Sequence, residues 1–125
     1  MAKILLVEDD NLVRDMLVQV LERATHEVNS ATNGEEAAEL LKTFSPDIMV
    51  TDIIMPKKSG ITLISEVKAK HPKMEIIAIS GGGRLDPTGY LDLSESLGAS
   101  VSFEKPVDKS ALLMAIDLLL RQKES

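Results

Sequence analysis

Residues 4–10 are Ile-Leu-Leu-Val-Glu-Asp-Asp, a run of apolar side chains that ends directly in carboxylates. Consecutive apolar residues predict a strand that is buried on both faces, which is typical of a parallel sheet covered by helices. From position 11 to position 24 the apolar residues follow at helical spacing, and Asp9, Asp10 or Asn11 can cap that helix. The start of the chain therefore predicts a strand followed by a helix.

The same alternation of a short apolar run and an amphipathic stretch recurs along the chain. Further strands are predicted at 26–31, 48–51, 74–80 and 100–104, and further helices at 35–44, 60–70, 88–97 and 108–122. Strand–helix pairs in succession imply a parallel sheet with right-handed crossovers. With 125 residues in total, we expect a single domain over residues 1–125.

Composition narrows the class of function. The chain has 14 lysines and arginines against 20 aspartates and glutamates, a net charge of −6, which argues against direct nucleic-acid binding and against a polybasic membrane module. The sequence contains no cysteine, which excludes a disulfide framework and a cysteine nucleophile. We find neither a signal peptide nor an apolar run of the ~18 residues that a membrane span needs, so we expect no membrane insertion and a cytoplasmic location.

Polar side chains stand where the predicted strands end, and ligands of an open parallel sheet bind at that edge. These residues are Glu8, Asp9, Asp10, Asp52, Ser80 and Lys105. Clustered carboxylates stay ionised only when a cation joins them, and oxygen ligands with an open position suit Mg²⁺ or Mn²⁺. A nearby hydroxyl and ammonium suit phosphoryl oxygens, and a carboxylate in such a site can act as a nucleophile.

Taken together, the motifs resemble the receiver domain of two-component response regulators over essentially the whole chain. They lie at residues 4–10, 47–56, 60, 79–81, 98–99 and 105–106. The resemblance implies an α/β fold of the flavodoxin-like, doubly wound (βα)5 type, with a five-stranded parallel sheet of order 2-1-3-4-5 and helices on both faces. Because the chain ends soon after the last motif, we expect a stand-alone receiver without an output domain.

The resemblance also implies a role for each acidic residue of the site. Asp52 is expected to accept the phosphoryl group, and Asp9 to bind Mg²⁺ directly. Glu8 is expected beside the metal, through a water molecule, and the backbone carbonyl of Ile54 is expected as a further ligand. Independently of the resemblance, Asp10 is expected to serve only as a helix cap.

The remaining site residues follow from the same resemblance. Ser80 is expected to bind the phosphoryl group and Lys105 to pair with it, and the peptide before Pro106 is expected to be cis. Many receivers carry an aromatic residue three positions before the lysine, where this chain has Ser102, and strand alternation points the neighbouring Phe103 to the opposite face. We therefore hypothesise that the switch reorders the glycine-rich loop at 81–87 and the helix at 88–97.

The implied function is a phosphoryl-accepting switch or relay in a two-component phosphorelay. A sensor histidine kinase or a histidine phosphotransfer protein is the expected donor, and a separate protein effector is expected to bind the surface of the fourth helix, fifth strand and fifth helix. We expect no separate substrate, hence no enzyme in the usual sense, and either a monomer or a phosphorylation-dependent dimer.

Three alternatives stay open at this point. A receiver-like module could dock partners without being phosphorylated. A flavodoxin-like flavin-binding domain is disfavoured by the acidic first loop and by an aromatic content of only 2%. A small aspartyl phosphatase needs a second acid where Ile54 stands.

His26 and His71 have no partners at metal-ligand spacing, so both are predicted to be surface residues.

Overall fold

The computed structural model describes residues 2–53, 59–80 and 90–124, and strands and helices alternate there in the predicted order. The elements are β1 (Lys3–Val7), α1 (Asn11–Arg23), β2 (Glu27–Ala31), α2 (Gly34–Leu40), β3 (Ile48–Asp52), α3 (Gly60–Lys70), β4 (Glu75–Ser80), α4 (Tyr90–Leu97), β5 (Val101–Glu104) and α5 (Lys109–Glu124).

The helix α2 ends earlier than its sequence pattern predicts. Apolar spacing continues to Phe44, but the helix ends at Leu40 and the chain tightens into turns in which Thr43 donates its N–H to the Leu40 carbonyl at 3.1 Å. Such three-residue bonds satisfy the last carbonyls of a helix in a narrower turn. Phe44 still packs against the core, so the apolar pattern indicated burial correctly although the helix is shorter.

The strands form one parallel sheet in the described part of the chain, in the order β2-β1-β3-β4-β5. This is the predicted order, with β3 at the centre. The register aligns Val7 with Thr51, and it aligns Ser80 with Glu104. The carboxyl ends of the strands therefore meet at one edge, as the site prediction required.

Apolar side chains form a core on each face of the sheet, which explains the consecutive apolar residues of β1. Leu5 and Val7 belong to the core that α2 and α3 cover. Ile4 and Leu6 belong to the opposite core, which α1 and α5 cover. Because neighbouring residues of a strand face opposite sides, a strand covered on both sides is apolar throughout. Among the helices that the structure describes, none is both long enough and apolar enough to cross a membrane.

The prediction that His26 lies on the surface is wrong, whereas His71 is exposed as predicted. His26 is only 8% exposed, and its Nδ1 accepts a hydrogen bond from the Ala2 amide at 3.0 Å. The Glu27 amide in turn donates to the Ala2 carbonyl at 2.8 Å. The imidazole thus joins the start of β2 to the residue before β1, and it does so in its neutral form, since a protonated ring has no acceptor nitrogen.

We predict that this contact makes stability depend on pH below neutrality. Burial lowers the pKa of His26 from 6.5, so the unfolded chain takes up a proton before the folded chain does. The stabilisation is complete above pH 6.5 and falls as the pH drops through the lowered value. His26→Asn keeps an acceptor that does not titrate. Urea unfolding at pH 7.5 and 5.5 tests this: equal pH dependence in both proteins would contradict it.

Candidate functional site

Three carboxylates converge where β1 and β3 end. One oxygen from each of Glu8, Asp9 and Asp52 lies within 4.8 Å of the others, and within the described ranges this is the group of acids placed to share a cation. Glu8 is 1% exposed and Asp52 is 4% exposed, whereas Asp9 is open to solvent. The sequence prediction that these residues meet is confirmed in geometry. A cation bound here can therefore keep solvent ligands on the Asp9 side.

Lys105 supplies the positive charge that faces these acids. Its Nζ lies 2.9 Å from Glu8 Oε1 and 3.0 Å from Asp52 Oδ2. The Lys105 amide donates to the Ser80 carbonyl at 2.6 Å, which holds the loop after β5 against the end of β4. The peptide between Lys105 and Pro106 is cis, as predicted. One ammonium therefore opposes three carboxylates, and the site stays acidic.

The electrostatics favour the binding of a further cation. Burial raises the pKa of Glu8 to about 7, and the Asp52 charge adds to that effect while Lys105 opposes it. Burial likewise raises the pKa of Asp52, again against the effect of Lys105. Burial disfavours the Lys105 ammonium, but its close contacts with the Glu8 and Asp52 carboxylates outweigh this and raise the pKa of Lys105. A divalent cation favours the ionised carboxylates and so fits this donor set.

Ser80 brings a buried hydroxyl to the same edge. Its Oγ is fully buried, and over the described residues the structure provides no hydrogen-bond partner for it. Glu8 Oε1 is also buried, and within the described residues it accepts no hydrogen bond. The Lys105 ammonium lies beside it as an ion-pair partner. A buried hydroxyl without a partner costs about 1–3 kcal/mol. The site therefore presents a donor that an anionic ligand could satisfy.

Local hydrogen bonds shape the loop that carries Glu8 and Asp9. Asp10 caps α1, because its Oδ1 accepts from the amides of Leu12 at 2.9 Å and Val13 at 3.1 Å. The Asp10 amide donates to Glu8 Oε2 at 3.1 Å. Asp10 is therefore a helix cap, as expected, and its neighbours are left to face the site.

Gly60 allows α3 to approach the end of β3. A Cβ atom at this position would lie 2.1 Å from the Asp52 carbonyl oxygen and 2.5 Å from the Ile53 Cα, distances that no side chain tolerates. The Gly60 amide donates to the Ile53 carbonyl at 2.7 Å. The Thr51 hydroxyl donates to the Asp52 carbonyl at 2.9 Å. These contacts hold the backbone of Asp52, and residue spacing alone did not predict them.

Ser102 occupies the position where many receivers have an aromatic residue. Its hydroxyl donates to Glu95 Oε2 of α4 at 2.6 Å. Phe103 packs into the core on the α1 and α5 side, as strand alternation predicted. The side chain of Ser102 thus links β5 directly to α4.

Two expectations fall outside the described residues. One is the backbone carbonyl of Ile54 as a metal ligand. The other is the reordering of the glycine-rich loop at 81–87, together with the first residues of the helix predicted at 88–97.

Known proteins are similar to this chain over nearly its whole length. A family model described as the response regulator receiver domain matches residues 4–117. The chemotaxis protein CheY of Halobacterium salinarum is 33% identical over 121 residues, which are 96% of this chain and 98% of that protein. The transcriptional regulatory protein CpxR of Escherichia coli is 34% identical over 122 residues, which are 98% of this chain but 50% of CpxR. The chain thus spans about half the length of CpxR.

Solved structures show the same similarity. The crystal structure of a response regulator receiver domain protein from Clostridium thermocellum superimposes with a TM-score of 0.88 at 31% sequence identity. The match covers 99% of this chain and 98% of that chain.

We predict that Glu8→Gln stabilises the metal-free protein at alkaline pH. The pKa of Glu8 is raised from 4.5 to about 7, so the stability linked to its proton is present below pH 4.5 and is lost as the pH rises through 7. At pH 8 the variant should exceed the original protein in free energy of unfolding by on the order of 1 kcal/mol, and the gap should close toward pH 5.

Urea unfolding at both pH values measures this effect. Glu22→Gln, which removes an exposed glutamate of α1, is the matched control and should show no such gain. A Glu8→Gln variant that is no more stable than the original protein at pH 8 would contradict the prediction.

Proposed function

The chain belongs to the response regulator receiver domain family, and we propose that Asp52 is the residue that accepts the phosphoryl group. The function of the family is that of a phosphoryl-accepting switch in two-component signalling. The observation that carries the assignment to Asp52 is its position, buried at the carboxyl end of the central strand with Lys105 Nζ 3.0 Å from Oδ2. The other acids of the cluster stand on the neighbouring β1 side.

The proposed transfer step is a substitution at phosphorus. An Asp52 carboxylate oxygen forms a P–O bond while the P–N bond of a phosphohistidine on the donor breaks. The electron pair of that bond stays with the imidazole, which takes up a proton and leaves as a neutral ring. The product is an acyl phosphate, and water later hydrolyses it to restore the carboxylate and release inorganic phosphate.

Receiver domains bind Mg²⁺ at an acidic pocket, and the acids of this chain fit that ion. We propose that Glu8, Asp9 and Asp52 hold Mg²⁺ or Mn²⁺, with the Ile54 carbonyl as a further ligand. Their convergence within 4.8 Å supports this assignment. When bound, the cation offsets the negative charge that accumulates on the phosphoryl oxygens.

Ser80 and Lys105 are proposed to hold the phosphoryl group. The Ser80 hydroxyl is buried without a partner, so a phosphoryl oxygen would satisfy it. The Lys105 ammonium already lies between Glu8 and Asp52, so it can bind the phosphoryl oxygens once the group is transferred to Asp52. The Ser80 hydroxyl and the Lys105 ammonium would therefore both stabilise the negative charge of the phosphoryl group.

We propose that the signal passes from this edge to the surface formed by α4, β5 and α5. The Lys105 amide is bonded to the Ser80 carbonyl at the end of β4, and β5, which ends just before Lys105, carries the Ser102 hydroxyl that is bonded to Glu95 of α4. On α5, Met114 is 64% exposed, and Leu118 is exposed as well. Exposed apolar side chains on one helix suit a protein partner.

The family interacts with histidine kinases and downstream effectors, and for this chain we propose a sensor histidine kinase or a histidine phosphotransfer protein as donor and a separate protein as effector. We also propose that residues 1–125 act as one receiver domain that turns over no separate substrate. The cytoplasmic location and the choice between a monomer and a phosphorylation-dependent dimer stay predictions. The unphosphorylated docking module is less favoured, because the acids, the hydroxyl and the lysine meet at one edge. The family match likewise disfavours a flavin-binding domain.

We predict one stable acyl phosphate, located on Asp52. After incubation with acetyl phosphate and Mg²⁺, intact mass spectrometry should show the mass of one added phosphoryl group, and Asp52→Asn should abolish it because an amide is not a nucleophile here. Without Mg²⁺ the modification should be far slower.

The matched control is Asp47→Asn, at the opposite end of β3, where the Asp47 carboxylate accepts from the Lys3 amide at 2.9 Å. This variant should be modified like the original protein. Failure of the original protein to accept a phosphoryl group would contradict the proposal and would favour the docking module.

A further inference from the structure

Arg14 reaches from α1 back to the acidic loop without being one of the predicted site residues. Its Nη1 donates to the Glu8 carbonyl oxygen at 3.0 Å, and its Nη2 donates to Asn11 Oδ1. The guanidinium therefore spans the loop that carries Asp9, bonding to the residue before it and to a residue after it. Two parallel donors on one planar group fix both ends of such a loop at once.

The bond to the Glu8 carbonyl bears directly on the position of Asp9. The peptide unit that contains this carbonyl also contains the Asp9 nitrogen, and peptide units are rigid planes. The amide of Glu8 is separately held, because it donates to the Ala31 carbonyl at 3.0 Å. The backbone N–H and the backbone C=O of Glu8 are therefore both hydrogen-bonded, and this sets the direction in which the chain enters Asp9. The Asp9 side chain is exposed, so its backbone is what places it.

The sign of the Arg14 charge argues for a geometric role. A cation beside three converging carboxylates repels a second cation, so charge alone would make Arg14 weaken the binding of a divalent metal. The guanidinium makes its contacts with a backbone carbonyl and an amide oxygen, and neither is one of the carboxylates that would bind the metal. Because the positive charge of Arg14 would disfavour a bound cation, the contribution of Arg14 to the site must come from the hydrogen bonds by which it orders the loop.

We propose that Arg14 is a positioning residue: by binding the Glu8 carbonyl and Asn11, it holds the Asp9 carboxylate toward the divalent cation. This inference rests on the proposed cation site. It assigns no new ligand, since Arg14 acts through the backbone of the loop and touches neither the cation nor the phosphoryl group.

Substitution of Arg14 distinguishes the two roles because they predict opposite signs. In isothermal titration calorimetry with Mg²⁺ alone, Arg14→Gln should weaken Mg²⁺ binding by about tenfold, comparable to the loss of one charge-assisted hydrogen bond. If Arg14 contributed charge only, the same variant would bind Mg²⁺ more tightly. Arg14→Lys keeps the charge but loses the planar fork, so it should also bind Mg²⁺ more weakly than the original protein.

The matched control is Arg23→Gln, which removes the same charge from the last turn of the same helix. At ~1.5 Å of rise per residue, Arg23 lies more than one Debye length from Arg14 at physiological ionic strength. This variant should bind Mg²⁺ as the original protein does. Thermal unfolding of all variants establishes that they are folded.

A second measurement needs no metal. Amide hydrogen exchange of Asp9 and Asp10 in metal-free protein should be faster in Arg14→Gln than in the original protein, and unchanged in Arg23→Gln. Unchanged exchange, or Mg²⁺ affinity in Arg14→Gln that equals or exceeds that of the original protein, would overturn the role of Arg14 while leaving the cation site in place. If the original protein itself failed to bind Mg²⁺, the cation site and the inference built on it would both be wrong.

Discussion

Mutual repulsion among three carboxylates within 4.8 Å is the constraint around which the functional edge is built. Burial strengthens that repulsion, and it raises the pKa of Glu8 to about 7. The Lys105 ammonium, at 2.9 Å and 3.0 Å from two of the acids, offsets only part of it. The folded chain therefore keeps a charge imbalance that a divalent cation and a phosphoryl group together can relieve. Such a site costs stability in the unliganded protein and gains it on binding.

The fold holds these charges in place with contacts that carry no charge of their own. A sheet covered on both faces brings the ends of β1, β3 and β4 to one edge, and the missing side chain of Gly60 lets α3 close against Asp52. The Lys105 amide bond to the Ser80 carbonyl joins the last strands at the same edge. Rigid backbone contacts of this kind are what keep like charges from moving apart.

Much of this could be predicted from the sequence, because the signals are periodic or local. Consecutive apolar residues marked the strands, helical spacing marked the helices, and the polar residues at the strand ends marked Glu8, Asp52 and Lys105. The features that could not be predicted depend on hydrogen-bond partners that are distant in the sequence or that are backbone groups. His26 is buried because the Ala2 amide is its partner, and Arg14 binds the Glu8 carbonyl; side-chain patterns do not show such contacts. The early end of α2 likewise follows from a local tightening that apolar spacing does not report.

The central claim is that the converging acids Glu8, Asp9 and Asp52 form a cation site, so that a divalent cation bound there competes with the proton that burial favours on Glu8. Calorimetric titration of Mg²⁺ at pH 7, in buffers of different ionisation enthalpy, measures the number of protons released for each ion bound. Because burial raises the pKa of Glu8 to about 7, we predict that Mg²⁺ binding releases protons at pH 7 and releases almost none at pH 9. Mg²⁺ binding with no proton release at pH 7, or no binding at either pH, would contradict it.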